Sequence, residues 1–130
     1  MLLVKTKIGP SKIHGIGLFA DEFIQKGKII WKFAKRFDLM IEEKTISELS
    51  EPGKNFFLKY AYMDPGCKKY ILDFDNSRFM NHSKNPNTIS IYPAEEKIGI
   101  TIASRNIKPS EEITGNYHEF DLTSNEKGIL

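Results

Sequence analysis

A chain of 130 residues fits one domain that can bury about two-thirds of its unfolded surface and fold without staples. Its formal charge of +2, from 19 basic and 17 acidic residues spread along the sequence, excludes the strong pull of a polyanion or anionic-membrane binder. The one cysteine, Cys67, excludes an internal disulfide and a cysteine-rich zinc cluster, suits a reducing compartment, and in its Pro65-Gly66-Cys67 turn reads as incidental.

Nine Phe, five Tyr and one Trp favour a β-rich chain. The opening Met1-Leu2-Leu3-Val4 is too short for a signal segment, so neither secretion nor membrane insertion is expected. Leu3 to Ile8 alternates as a half-exposed strand ended by Gly9-Pro10-Ser11. His14-Gly15-Ile16-Gly17 then leads into the apolar fragment Leu18-Phe19-Ala20. Its glycines permit close backbone approach to a ligand, but no third glycine and helix follow, so a dinucleotide cradle is excluded.

Lys28 to Phe33 reads as a strand with Trp31 in the core. Thr45-Ile46-Ser47-Glu48 fits a capping box and predicts one short helix to about Ser50, stopped by Pro52-Gly53. Asn55 to Met63 carries four aromatic rings, and if it is extended Tyr60 and Tyr62 share a face, as a channel wall or as plain packing. Tyr70 to Phe74 returns as a strand. The central stretch Ser77 to Asn87 has no periodicity: Asn81, Asn85 and Asn87 favour irregular backbone, Pro86 blocks a helix, and Phe79 and Met80 anchor the loop while Asn81 and His82 face outward. That pattern suits a binding loop or a plain turn. Thr88 to Tyr92 and Ile98 to Ala103 form an expected antiparallel pair, Glu112-Ile113-Thr114 a last strand broken at Gly115, and the tail from Thr123 is expected to fray.

Three linked blocks resemble the SET domain, the fold of most protein lysine methyltransferases. They are Ser11 to Ala20 with Ile24 to Ile30, then Ser77 to Ser83 with Pro86-Asn87, then Ile102 to Ile107 with Glu111 to Tyr117. The resemblance covers about residues 4 to 120. It implies a mainly β fold of several short sheets with a C-terminal pseudoknot and one or two short helices, over residues 1–122, with 123–130 as tail. It also implies transfer of methyl from S-adenosyl-L-methionine, leaving S-adenosyl-L-homocysteine, to a lysine amine that enters by a narrow channel from the opposite face.

Carried over by position, the Gly15-Ile16-Gly17 backbone, Arg78, Asn81, the main chain at His82, and Tyr117 bind the cofactor. Tyr117 is the first choice for the catalytic hydroxyl, Tyr60 the other channel tyrosine and Tyr62 its fallback; Gly115 and Phe120 complete the channel. His14 and His82 are read as structural hydrogen-bonders. Gly115 replaces the usual Tyr or Phe, which predicts more than one methyl added unless Phe120 refills the space. Lys84 stands where many members have a zinc-cluster cysteine, so no metal is expected.

The expected partner is a lysine-containing protein or peptide, such as a histone or another basic protein, bound by a monomer or homodimer, with no nucleic acid and no membrane. The setting would be intracellular: cytoplasmic in a bacterium, nuclear or chromatin-associated in a eukaryote or virus. Two other readings stand beside this one, a non-catalytic module that binds peptide or cofactor, and a nucleic-acid-binding β-barrel, which lacks a concentrated basic face.

Overall fold

The computed structural model describes residues 1–129. Strands β1 (Thr6–Pro10) and β2 (Ile16–Ala20) make an antiparallel hairpin with Thr6 opposite Ala20 and Pro10 opposite Ile16. Strands β3 (Ile29–Trp31) and β4 (Leu39–Ile41) follow, then a 3₁₀ turn at Glu43–Glu48 and helix α1 (Glu51–Tyr60). Next come β5 (Tyr62–Met63), β6 (Tyr70–Leu72), a second 3₁₀ turn at Asn76–Phe79 and β7 (Asn81–His82). The chain closes through β8 (Thr88–Ile91), β9 (Ile100–Ala103), β10 (Thr114–Gly115) and α2 (Tyr117–Phe120). Four small sheets result, ordered β1-β2, β3-β9-β8, β4-β6-β5 and β10-β7. The mainly β architecture expected from the sequence is therefore present.

Two predicted elements are corrected. Thr45–Glu48 forms no capping box: the preceding cap residue, Glu42, makes no side-chain cap bond, and the segment is a 3₁₀ turn. The longer helix begins after it. The Ser50 hydroxyl accepts from the Gly53 amide at 3.1 Å, Glu51 faces the positive helix end, and Pro52 sits in the first turn, where it has no intrahelical hydrogen bond to forfeit. Pro52-Gly53 thus starts a helix instead of stopping one. Residues 55–60, read only conditionally as extended, are helical because this cap outweighs the β-propensity of their aromatics and because Phe57 buries against Tyr70 on β6. Tyr60 and Tyr62 consequently straddle a helix-to-strand corner and do not share a strand face.

Packing around Leu18, Ile24, Ile30, Ile107 and Ile113 forms the main core, and Phe57, Ala61, Met63, Tyr70 and Leu72 form a second. Trp31 is buried, as its place in the strand from Lys28 to Phe33 suggested. The closing segment runs between these elements. On one side the Ile113 amide donates to the Leu18 carbonyl and the Ala20 amide to the Glu111 carbonyl; on the other, β10 pairs parallel with β7, Thr114 opposite Asn81. Asn87 locks it there: its side-chain Oδ1 accepts from the Thr114 main-chain amide at 2.9 Å and its Nδ2 donates to the Glu112 main-chain carbonyl at 2.8 Å. A strand held between the first hairpin and the central loop is the knot-like threading that periodicity alone does not reveal.

The tail also differs from expectation. Ser124 is only 4% exposed and pairs with His118 Nδ1 at 2.9 Å, and residues 121–128 turn back over the body through Leu122 N–H to the Met63 carbonyl. Residue 130 lies outside the described residues.

Candidate active site

Two cavities meet near the chain's centre. The larger, about 750 Å³, is a cleft lined by Gly15, Ile16, Asn55, Leu58, Asn81, His82 and Ile129 among others. The smaller, about 60 Å³, is lined by Trp31, Tyr62, Asp64, Asp73, Phe120 and Asp121 among others. Lys59, Tyr60, Arg78, Met80, Tyr117 and Lys127 border both. The cleft falls within the roughly 300–1,000 Å³ common to small-molecule sites. The smaller cavity has room for a few waters or a thin chain.

The cleft's floor is built by hydrogen bonds across distant segments. Gly15 has φ +47°, a left-handed conformation that favours glycine, and nothing stands where its Cβ would be. The Asn81 amide donates to the carbonyls of His14 at 3.0 Å and Ile16 at 3.3 Å and to Glu112 Oε2 at 3.0 Å. The Ser11 hydroxyl stands 2.9 Å from both Glu112 oxygens. Asn81, Glu112 and Ser11 therefore tie the hairpin tip, the central loop and the closing segment into one unit. Gly17 is buried away from the cleft lining, and a Cβ there would come within 2.6 Å of Glu112 Oε2; its small size makes room for that carboxylate.

Arg78 braces the central loop from below, its guanidinium donating to the Asp73 carbonyl at 3.1 and 2.6 Å while lying over the Phe56 ring. His82 Nδ1 accepts from the Tyr117 amide at 3.1 Å, which fixes the start of α2 against β7. His14 lines the cleft, with its carbonyl bound to Asn81.

Tyr117 stands at the border of the cavities. Its hydroxyl donates to the Met80 carbonyl, and burial, with Asp121 nearby, pushes its pKa up to about 12. It is a neutral phenol near pH 7: its proton is committed to Met80, and its oxygen can still accept. Tyr60 also borders both cavities, stacked edge-on against Phe79 and tilted against Phe56. Tyr62 lines only the smaller one, edge-on to Trp31 and Phe120, and burial raises its pKa well above the ordinary phenol value.

Gly115 leaves room that Phe120 takes. A Cβ on Gly115 would stand 2.9 Å from Met80 Cε and 3.1 Å from Phe120 Cε1. The Phe120 ring packs edge-on to both Tyr62 and Tyr117 at 5.4 Å, so an aromatic from α2 occupies the neighbourhood of the missing side chain.

Sequence reasoning missed Glu112, Asp73, Asp121 and Lys127. The last three line the smaller cavity, and nothing local in the sequence marks them. Asp73, 9% exposed, has its Oδ1 without a hydrogen-bond partner, and burial pushes its pKa up to about 7. Among the described residues no cluster of His, Cys, Asp or Glu could hold a metal ion, and no helix is long and apolar enough to cross a membrane.

Comparison with known proteins gives a consistent result. The profile of the SET domain matches residues 15–118. A histone-lysine N-methyltransferase of Arabidopsis thaliana is 31% identical over 120 residues, 87% of this chain and 32% of its own length. An H3 lysine-4 specific histone-lysine N-methyltransferase of Schizosaccharomyces pombe is 31% identical over 115 residues, 84% of this chain and 12% of its own length. The chain thus spans a third or less of these relatives. A solved structure of a candidate histone methyltransferase from Plasmodium falciparum superimposes with a TM-score of 0.63 at 25% identity, covering 89% of this chain and 95% of that one. Polycomb Repressive Complex 2 of Chaetomium thermophilum has a TM-score of 0.69 at 20% identity over 97% of this chain and 17% of its own, a likeness of fold.

Proposed function

The chain belongs to the SET-domain family, and from that premise we propose that it is a protein-lysine N-methyltransferase using S-adenosyl-L-methionine. The observation that carries this reading is the meeting of a cofactor-sized cleft and a thin, aromatic-walled cavity at Tyr60, Met80 and Tyr117. An in-line displacement needs that layout, donor on one side and amine on the other.

The cleft's residues fit the cofactor: Gly15 and Ile16 offer main chain, Asn81 and His82 a polar floor, and Tyr117 one wall. The bound group supplies an electrophilic methyl on a sulfonium. Everything else falls to the protein. Phe120, Tyr62 and Tyr117 wall one side of the smaller cavity with rings, where desolvation favours the neutral amine, while Asp64, Asp73 and Asp121 elsewhere on its lining favour the ammonium as it enters. Tyr117, protonated and anchored on the Met80 carbonyl, can accept an N–H of that amine and so aim its lone pair. With its pKa near 12 it orients and does not take the proton.

The acceptor is a lysine of a protein, with histones or other basic proteins as the class, and the setting is intracellular. The working unit is a monomer or homodimer without nucleic acid, membrane or metal. Calorimetric titration with S-adenosyl-L-methionine, followed by incubation with labelled donor and a histone mixture, tests the reading. Binding with label on lysine is expected. Binding without transfer would instead favour a non-catalytic module.

A further inference from the structure

Lys127 makes an unusual arrangement. It comes from the closing turn, yet its ammonium reaches inward to Asp121 Oδ2 at 2.7 Å and to the main-chain carbonyl of Ala61, and its side chain borders both cavities beside Tyr60 and Tyr117. Asp121 is 2% exposed. Its other oxygen, Oδ1, is engaged by the Met63 amide at 3.0 Å and by the Thr123 amide and hydroxyl at 2.9 and 2.7 Å. Oδ2 is served by Lys127. A buried carboxylate oxygen stripped of its cation is strongly unfavourable, so a departure of Lys127 leaves a place that a second cation would relieve. Ala61 lines the smaller cavity, and its carbonyl is the one that Lys127 reaches.

We propose that Asp121 Oδ2 and the Ala61 carbonyl form a docking station for an alkylammonium, that Lys127 fills it in the resting chain, and that an incoming lysine displaces the Lys127 side chain. The proposal rests on the methyltransferase reading for the identity of the incoming lysine; the station itself is a property of the folded chain. The Lys127 side chain is 21% exposed, so it reaches solvent by rotation about its own stem and the turn need not unfold. A charged substrate is thereby recognised at the channel before it surrenders its proton, and the tail competes for the same place.

The test is chemical rescue in the absence of cofactor. Lys127→Met keeps an unbranched stem and removes the charge. Its thermal midpoint should fall, and n-butylammonium chloride should restore it, whereas tetramethylammonium chloride at equal ionic strength should not. The double variant with Asp121→Asn should show no rescue. In an NMR titration, capped lysine (Nα-acetyl-lysine-N-methylamide) should bind K127M at least about ten-fold tighter than the wild type, because the internal competitor no longer occupies most of the population. Capped norleucine should gain nothing. Equal affinity in wild type and variant, or a K127M that butylammonium leaves unrestored, overturns the station. Because neither readout involves methyl transfer, an inactive enzyme with intact rescue would sink only the methyltransferase reading.

Discussion

Replacing Asp73 by asparagine should stabilise the protein at pH 8 and leave its stability nearly unchanged near pH 4. The Ser77 hydroxyl stands 2.6 Å from Asp73 Oδ2 and also 2.6 Å from Asp75 Oδ1. One hydroxyl hydrogen cannot serve two carboxylates, so a second proton is favoured, and Asp73 is the carboxyl whose burial favours holding it. Burial is the largest cause of its raised pKa, the Ser77 bond opposes it, and the charges of Asp38 and Asp75 add to it. The rise from 3.8 to about 7 is worth about 4 kcal/mol at ~1.4 kcal/mol per pH unit.

The sign follows from proton counting. Between pH 3.8 and about 7 the folded chain keeps a proton the unfolded chain has lost, so stability falls as pH rises and stays reduced above 7. Asparagine is shaped like the protonated acid, can donate to Ser77 through its amide, and does not titrate. Urea unfolding of wild type and D73N should coincide near pH 4. At pH 8 the variant's midpoint should be higher by about 1 M or more, given slopes of about 1–3 kcal/mol/M for small proteins. Equal midpoints at pH 8, or a less stable variant there, would show that Asp73 is ionised and satisfied in the folded chain.

Tyr117→Phe removes the hydroxyl that bridges toward Met80; methyl transfer should drop about 10²- to 10⁴-fold, the range for a positioned acid–base or orienting group, while cofactor affinity by calorimetry changes little. Phe120→Ala empties the space beside Gly115, and mass spectra of the product should show at least one further methyl than the wild type adds; identical distributions would place the limit elsewhere. Glu112→Ala leaves the Asn81 amide and the Ser11 hydroxyl short of their shared acceptor, at a cost of about 1–3 kcal/mol per unsatisfied group. Hydrogen exchange should rise at residues 13–16, and affinity for S-adenosyl-L-methionine should fall about ten-fold for each ~1.4 kcal/mol of that cost expressed in the bound state.

What the sequence made legible was local chemistry. The glycines at 15 and 17 permitted close backbone approach, Asn85 and Asn87 belonged to irregular backbone and Pro86 forbade a helix, each trait set by a residue and its immediate neighbours; Asn81, expected in irregular backbone and facing outward, is instead buried in the short strand β7, where its side chain ties distant segments together. The family's three blocks then brought Gly15, Asn81 and Tyr117 to one cleft across the chain. For α1 the local signal is also present: Ser50, followed by an acid and a proline in the first turn, is a helix start, and it overrides the β-propensity of the aromatic run after it.

The remaining site residues were hidden for a different reason. Glu112 meets Ser11 across 101 positions and Asn81 across 31, and Lys127 meets the Ala61 carbonyl across 66. A carboxylate or an ammonium has no periodicity to betray such a partner, and its default place is a solvated surface. Only the threading of the closing segment between hairpin and central loop makes these meetings possible, and that threading is a property of the whole chain. Of the four buried acids among the described residues, all but Asp38 line the smaller cavity. Asp64, Asp73 and Asp121 come from the ends of β5 and β6 and from the residue after α2, where short elements terminate and leave amides to be capped. Asp64 takes the Gly66, Cys67 and Gly99 amides, and Asp121 the Met63 and Thr123 amides. Asp73 alone of these three keeps an oxygen without a partner. A fold made of very short strands must cap many ends with side chains, and here two such caps, Asp64 and Asp121, line the smaller cavity.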